Sequence, residues 1–189
     1  MAETTQSARE QLLDTAARLF YQHGYRAIGV ETIVAESGVG KMTLYRHFPS
    51  KDDLIVAYLK DSNEKFWAWF NEATQSAGQP REQLVAFFRA LEKLAKKPTC
   101  YGCPFLNVAA EFPERDYPGH QVALEHKQAV RARFRELAKQ AGARSPEVLA
   151  DQLFLLMDGA FMAARMFGTS NPATRVAQAA QTLIEAQVD

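Results

Sequence analysis

Residues 38–51, Gly-Val-Gly-Lys-Met-Thr-Leu-Tyr-Arg-His-Phe-Pro-Ser-Lys, constrain the fold more than any other stretch of this chain. The segment holds Lys41, Arg46 and Lys51 and no acid. Leu44 and Phe48 lie four positions apart and share one helical face, so the polar residues fall mainly on the others. Gly38 stands in front, where two helices can turn sharply into one another. A short helix with an apolar anchor beneath and donors on top is suited to the major groove of duplex DNA.

The residues upstream supply the rest of a helix-turn-helix. From Ser7 to His23 the apolar positions Leu12, Leu13, Ala16, Ala17, Leu19 and Phe20 recur at helical spacing, and Gly24 stands where a C-terminal cap is expected. A second short helix, Val30 to Ser37, contributes Ile33 and Val34. The three helices are expected to share a small core of Leu13, Phe20, Ile33, Val39, Leu44 and Phe48. Gly40-Lys41 does not make a phosphate-binding loop. The glycine required five positions earlier is Ala35, and Met42 replaces the hydroxyl residue required after the lysine.

Lys51 marks a change of character. A long helix is predicted over 51–76, with Ser50 as N-cap and Asp52-Asp53 in its first turn. Further helices are predicted over 80–97, from Pro104 to before Pro113, over 118–141 with a basic side of Lys127, Arg131, Arg133 and Arg135, over 146–167, and from Asn171-Pro172 to near Ala186. No run argues for strands. The expected architecture is all-α: a helix-turn-helix domain over 1–50 and a larger helical domain over 51–189.

Formal net charge is zero, so the positive charge is local to 38–51 and DNA affinity would rest on a few placed phosphate contacts. Residues 1–6 lack the basic and apolar regions of a leader, and no apolar run reaches membrane-spanning length. Two cysteines in 189 residues fit a reducing compartment. A cytoplasmic protein with no membrane partner is therefore expected. His120 and His126 lie six apart and share no helical face, so no metal site is expected. There is no nucleophile elbow and no spaced histidine–carboxylate pair; no catalytic residue and no cofactor is expected.

The run from Arg9 to Leu59 resembles the DNA-binding domain of the TetR (tetracycline repressor-like) family of transcriptional regulators. The resemblance is carried by Ala16-Ala17-Arg18-Leu19-Phe20, Gly24-Tyr25, Ile33, Gly38-Val39, Lys41, Thr43-Leu44-Tyr45, His47-Phe48 and Ser50-Lys51. Gly102-Cys103-Pro104-Phe105-Leu106-Asn107 and Ala109-Ala110-Glu111-Phe112-Pro113 also look like one branch of that family. Two positions depart from the common pattern: Ile28-Gly29 stands where the second helix usually opens on Thr or Ser, and Glu31 stands where a basic or neutral residue is common. The residues taken to meet double-stranded operator DNA are Gly40, Lys41, Met42, Thr43, Tyr45, Arg46, His47 and Lys51.

The aromatics of 66–70 surround more than one helical face, which calls for a core on one side and a cavity or partner on the other. The resemblance implies a ligand cavity among these helices, for an unidentified small-molecule effector. Candidate lining residues are Phe66, Trp67, Phe70, Phe88, Phe105, Phe161 and Met162. Tyr101, Asn107, Glu111 and Asp158 are polar candidates, and Cys103 is a further one. The small residues of the last two helices permit close approach of a second copy. Ala160, Ala164, Phe167, Ala179, Leu183 and Ile184 are the expected homodimer surface, and the resemblance implies a four-helix interface there.

The reading is a ligand-responsive repressor that binds palindromic DNA as a dimer. One alternative is a repressor that senses oxidants or electrophiles through Cys103, since Cys100-Tyr-Gly-Cys103 has C-x-x-C spacing and Cys103 precedes a helix start that favours thiolate. Another is a carrier or enzyme that uses an apolar cavity and regulates nothing.

Overall fold

The computed structural model describes residues 7–188, and the segment 1–6 read above for leader character lies outside them. The described residues form nine α-helices and one 3-10 turn. α1 (Ala8–His23), α2 (Val30–Ser37) and α3 (Lys41–His47) make a small head. α4 (Lys51–Thr74) runs from the head into a body made by α5 (Pro80–Ala95), α6 (Pro104–Glu111), α7 (Pro118–Gln140), α8 (Pro146–Phe167) and α9 (Val176–Glu185). No helix among the described residues is long and apolar enough to cross a membrane.

Local chemistry sets the helix ends. Ser7 and Glu10 form a capping box at α1, with Glu10 N donating to Ser7 Oγ at 3.3 Å and Ser7 N to Glu10 Oε2 at 2.9 Å. Ser50 caps α4 by accepting from Asp53 N at 3.1 Å. α5, α6, α7 and α8 each open on a proline, whose missing N–H is not needed in the first turn. Gly38 turns α2 into α3 at φ +69°, a conformation that costs a side-chain-bearing residue strain.

Three expectations need correction. Leu12, not Leu13, is the buried leucine of α1, because Leu12, Ala16 and Leu19 form the inward stripe and Leu13 lies at its edge. The last helix does not start at Pro172: residues Pro172–Arg175 form a 3-10 turn, fixed by Asn171 Oδ1 accepting from Ala173 N at 2.9 Å, and the α-helix begins at Val176. Lys127 does not belong to an exposed basic side of α7. Its ammonium is ion-paired with Asp158 on α8, and the two side chains are only 13% and 18% exposed.

α7 runs through the middle of the body and packs against α4, α5, α6 and α8. Phe87 lies at the centre of an aromatic cluster, with ring centroids 5.0 Å from Phe70, 5.2 Å from Phe88 and 5.2 Å from Phe134. A second cluster surrounds His126, which stacks on Phe105 at 3.6 Å and meets Phe66 edge-on at 4.7 Å. Its Nδ1 lies 2.8 Å from Asn63 Oδ1, which also accepts from Trp67 Nε1 at 3.1 Å. An amide oxygen only accepts, so His126 holds its proton on Nδ1.

Burial, and to a lesser degree the charge of Lys127, push the His126 imidazole down to about 3. The unfolded chain takes up this proton near pH 6.5 and the folded chain only near pH 3, so stability falls as pH drops through that window. Between pH 7 and pH 5 the loss from His126 alone is on the order of 2 kcal/mol. Urea unfolding at the two pH values is expected to show this decline in the parent and a clearly shallower one in His126→Phe. Equal declines would remove His126 as the cause.

Candidate functional site

α3 is held by its apolar side and open on the other. Leu44 is fully buried and Phe48, just past the helix, is 2% exposed. Met42 is 84% exposed and Tyr45 40%. Lys41 and Arg46 are exposed, and Thr43 and His47 half-buried. Gly40 is the N-cap and supplies no side chain, so the first amides of α3 remain open. α2 likewise has no side-chain cap at Gly29. Lys41 Nζ donates to Glu31 Oε1 at 2.8 Å. That bond holds the Lys41 ammonium above its ordinary range and the Glu31 carboxyl below its own. Both side chains are well exposed, at 53% and 75%, so the pair is weak and a phosphate can replace Glu31. Lys51 lies off this face. It opens α4, half-buried, with its ammonium lowered by burial and with Asp52 and Glu111 nearby.

The head is joined to the body by side chains of α1, the turn after it and α6. Tyr21 Oη donates to Gly102 O at 2.9 Å and accepts from Tyr101 N at 3.1 Å. Tyr25 Oη donates to Pro104 O at 2.9 Å. Glu111, at the end of α6, accepts from Tyr25 N at 3.0 Å and from Arg26 N at 2.7 Å. Gly24 allows this approach. Its φ is +92°, and a Cβ there would stand 2.7 Å from Glu111 Oε1.

Beside this junction lies a cavity of about 300 Å³. α4 supplies Tyr58, Ser62, Lys65, Phe66 and Trp69; the α6 start and the loop before it supply Gly102, Cys103, Pro104 and Phe105; Leu94 and Phe161 complete the body side. Tyr21 of the head forms the remaining wall. Cys103 and Cys100 are free and buried; Cys103 is on the wall, and Cys100 stands behind it beside the Tyr21 hydroxyl.

Of the residues predicted for a ligand cavity, Phe66, Cys103, Phe105 and Phe161 line this one. The others lie elsewhere. Phe70 and Phe88 are fully buried in the Phe87 cluster, and Trp67 turns towards Asn63 and His126. Tyr101 packs edge-on against Tyr21, and its carbonyl accepts from Asn107 Nδ2 at 3.3 Å and Arg165 Nη1 at 2.9 Å. Asn107 is thus a buried brace of the loop, Glu111 a latch to the head, and Asp158 the partner of Lys127. Met162 sits on the outer side of α8, 39% exposed. Sequence reasoning missed Leu94, Gly102 and Pro104, and also Tyr58, Ser62, Lys65 and Trp69, although these four follow with Phe66 the spacing of one α4 face. Tyr21 carried no such signal, because it comes from the other domain.

The outer side of α8 is apolar, with Leu155 69%, Met166 69%, Phe167 57% and Val148 49% exposed. A groove beside it is floored by Gly159, Ala160, Ala163, Ala173 and Ala179. Ala164 and Ile184 have their surface buried within the protomer, while Ala179 is open and Leu183 half-buried. Ala160 is 5% exposed and lies on the groove floor.

Residues 12–58 match the sequence profile of bacterial regulatory proteins of the tetR family. Residues 80–180 match that of the tetracyclin repressor-like C-terminal domain. The HTH-type transcriptional regulator LmrA of Bacillus subtilis (strain 168) is 28% identical over 137 residues, 71% of this chain and 73% of that protein. The crystal structure of a TetR-family transcriptional regulator from Streptomyces coelicolor superposes with a TM-score of 0.85 at 34% identity, covering 95% of this chain and 93% of that one. A TetR transcriptional regulator from Chloroflexus aurantiacus J-10-FL gives 0.83 at 31%, covering 96% of each. These relatives are DNA-binding regulators and not enzymes, so the carrier-or-enzyme alternative falls away. The head with its open α3 and the helical body with its cavity are the two halves of one regulator, and the chain belongs to the TetR family of transcriptional regulators.

Proposed function

We propose that this regulator is a cytoplasmic repressor that grips palindromic operator DNA as a homodimer and leaves it when a small molecule fills the cavity beside Tyr21. One observation carries the switching part: Tyr21 belongs to the DNA-reading head, yet forms a wall of the cavity and exchanges hydrogen bonds with Tyr101 and Gly102. A ligand that pushes Tyr21 aside breaks those bonds and moves α1, against which α2 and α3 are packed. Only a ligand with a preference for the moved state shifts the balance.

For the DNA contacts we assign α3 to the major groove, with Lys41, Thr43, Tyr45, Arg46 and His47 as donors, the Gly40 end offering backbone amides and Met42 an apolar contact. To Lys51 we assign a phosphate contact, supported by its place at the N-terminus of the long α4. The second copy is proposed to cover the outer side of α8 and the open part of α9, where Phe167, Leu155 and Ala179 are exposed. Family members act as dimers on operator DNA, in keeping with this arrangement.

Lys41→Ala and Lys51→Ala are each expected to weaken duplex binding by about 1 kcal/mol and to lower the slope of log K against log salt by about 1. Fluorescence anisotropy across a salt series measures both quantities. Unchanged affinity and slope in the two variants would remove these assignments.

The switch makes a second prediction. A cavity ligand that releases DNA binds the DNA complex more weakly than the free dimer, by the same factor by which it weakens DNA binding. Tyr21→Phe removes the hydroxyl that links head to body and is expected to bring that factor towards one, with DNA affinity held within about two-fold. Calorimetry with and without duplex reads the factor. An undiminished factor in Tyr21→Phe would place the coupling elsewhere.

A further inference from the structure

The inference concerns the chemistry of the small molecule and rests on the reading of the Tyr21 cavity as the effector site. Most of the wall is aromatic or apolar: Phe66, Trp69, Phe105 and Phe161 present rings, and Leu94 and Pro104 fill between them. Such walls favour a flat, largely apolar ligand, and about 300 Å³ holds a molecule of roughly two or three rings.

The polar groups narrow the class further. Tyr21 Oη is engaged both as donor and as acceptor, and Tyr58 lies against Ser62 and Tyr25. Among the lining residues Lys65 is the one with a formal charge, and no carboxylate shares the wall with it. Its Nζ lies 2.7 Å from Asp61 Oδ2, which takes one of the three ammonium donors, and its side chain is 66% exposed. The ion pair leaves the other two donors unused, on a side chain that is largely exposed. A second cation nearby, Arg165, donates Nη1 to the Tyr101 carbonyl behind Gly102 and is not among the lining residues. His126, behind Phe66 and Phe105, is neutral at physiological pH and brings no charge. A cationic ligand would meet no carboxylate among the lining residues, since Asp61 beside them is taken by Lys65, and would face Lys65; an anionic oxygen would find a donor there.

We propose that the cavity takes a flat aromatic acid, a ring system bearing one carboxylate or phenolate oxygen, and that Lys65 is the residue that selects for this charge. Three probes of matched shape separate charge from fit: 2-naphthoate, 2-acetylnaphthalene and 2-naphthylmethylammonium. Calorimetry on the full-length protein is expected to rank them in that order, with the acid about five-fold tighter than the neutral ketone, the scale of a partly exposed ion pair. Lys65→Met, at an exposed position that tolerates the change, is expected to bring the acid down to the ketone and leave the ketone unchanged. Lys65→Arg is expected to keep the order. Leu94→Trp, which fills the cavity, is expected to abolish binding of all three.

The outcomes separate the two readings. If the cation binds as tightly as the acid, or Lys65→Met leaves the order intact, the chemical class is wrong while the cavity stands as a ligand site. If no probe binds, or if binding survives Leu94→Trp, the cavity reading falls and this proposal falls with it.

Discussion

The Glu111 carboxylate, fixed against two backbone amides of the turn after α1, is the contact on which the relation of head to body depends. A carboxylate accepting from amides is among the stronger hydrogen-bonded arrangements available to a partly exposed junction. The Tyr25 and Tyr21 hydroxyls extend it along α6 and the loop before it. Between them these groups span the whole length of the short α6 helix, so the head cannot rotate on α4 alone. It must carry α6 with it or part from it. Gly24 is the residue that makes this possible, since any side chain there would occupy the space of the carboxylate.

The head itself is economical in charge. The chain has no net charge, and even on α3 the exposed Lys41 is paired with Glu31 of α2. A reading head of this kind does not attract DNA from a distance through a broad field. It relies on short-range geometry, and that makes the rigid seating of Leu44 and Phe48 as important as the donors above them. Arg9, with its guanidinium 5.2 Å above the Phe48 ring, adds to that seating from the side of α1.

Helix existence and order were legible in the sequence because prolines, glycines and N-cap serines mark nearly every boundary, and α8 was read to its terminal residues. The anchor of α3 was legible because Leu44 and Phe48 have to lie on one face. The one-residue error at Leu12 and Leu13 arose because adjacent leucines fit the same period and only packing decides between them. A third of the cavity lining was legible for the same reason that the rest was not: aromatic residues announce apolar space but not which space. Phe66 and Phe70 lie one turn apart on α4, yet one meets the cavity and the other the Phe87 cluster. Tyr21 and Lys65 were missed because their roles come from the docking of α1 on α6 and from the open rim, neither of which has a periodicity.

The apolar outer side of α8 has a consequence for gene control. Leu155, Met166 and Phe167 are exposed on the protomer, and family members act in pairs. If pairing is weak at the working concentration, operator occupancy rises with the square of the subunit concentration rather than in proportion to it. Steepness of response would then be written into the outer side of α8, whereas Phe161 on its inner side lines the cavity. A substitution such as Phe167→Ser would lower operator occupancy at a given subunit concentration while leaving the reading head and the cavity as they are.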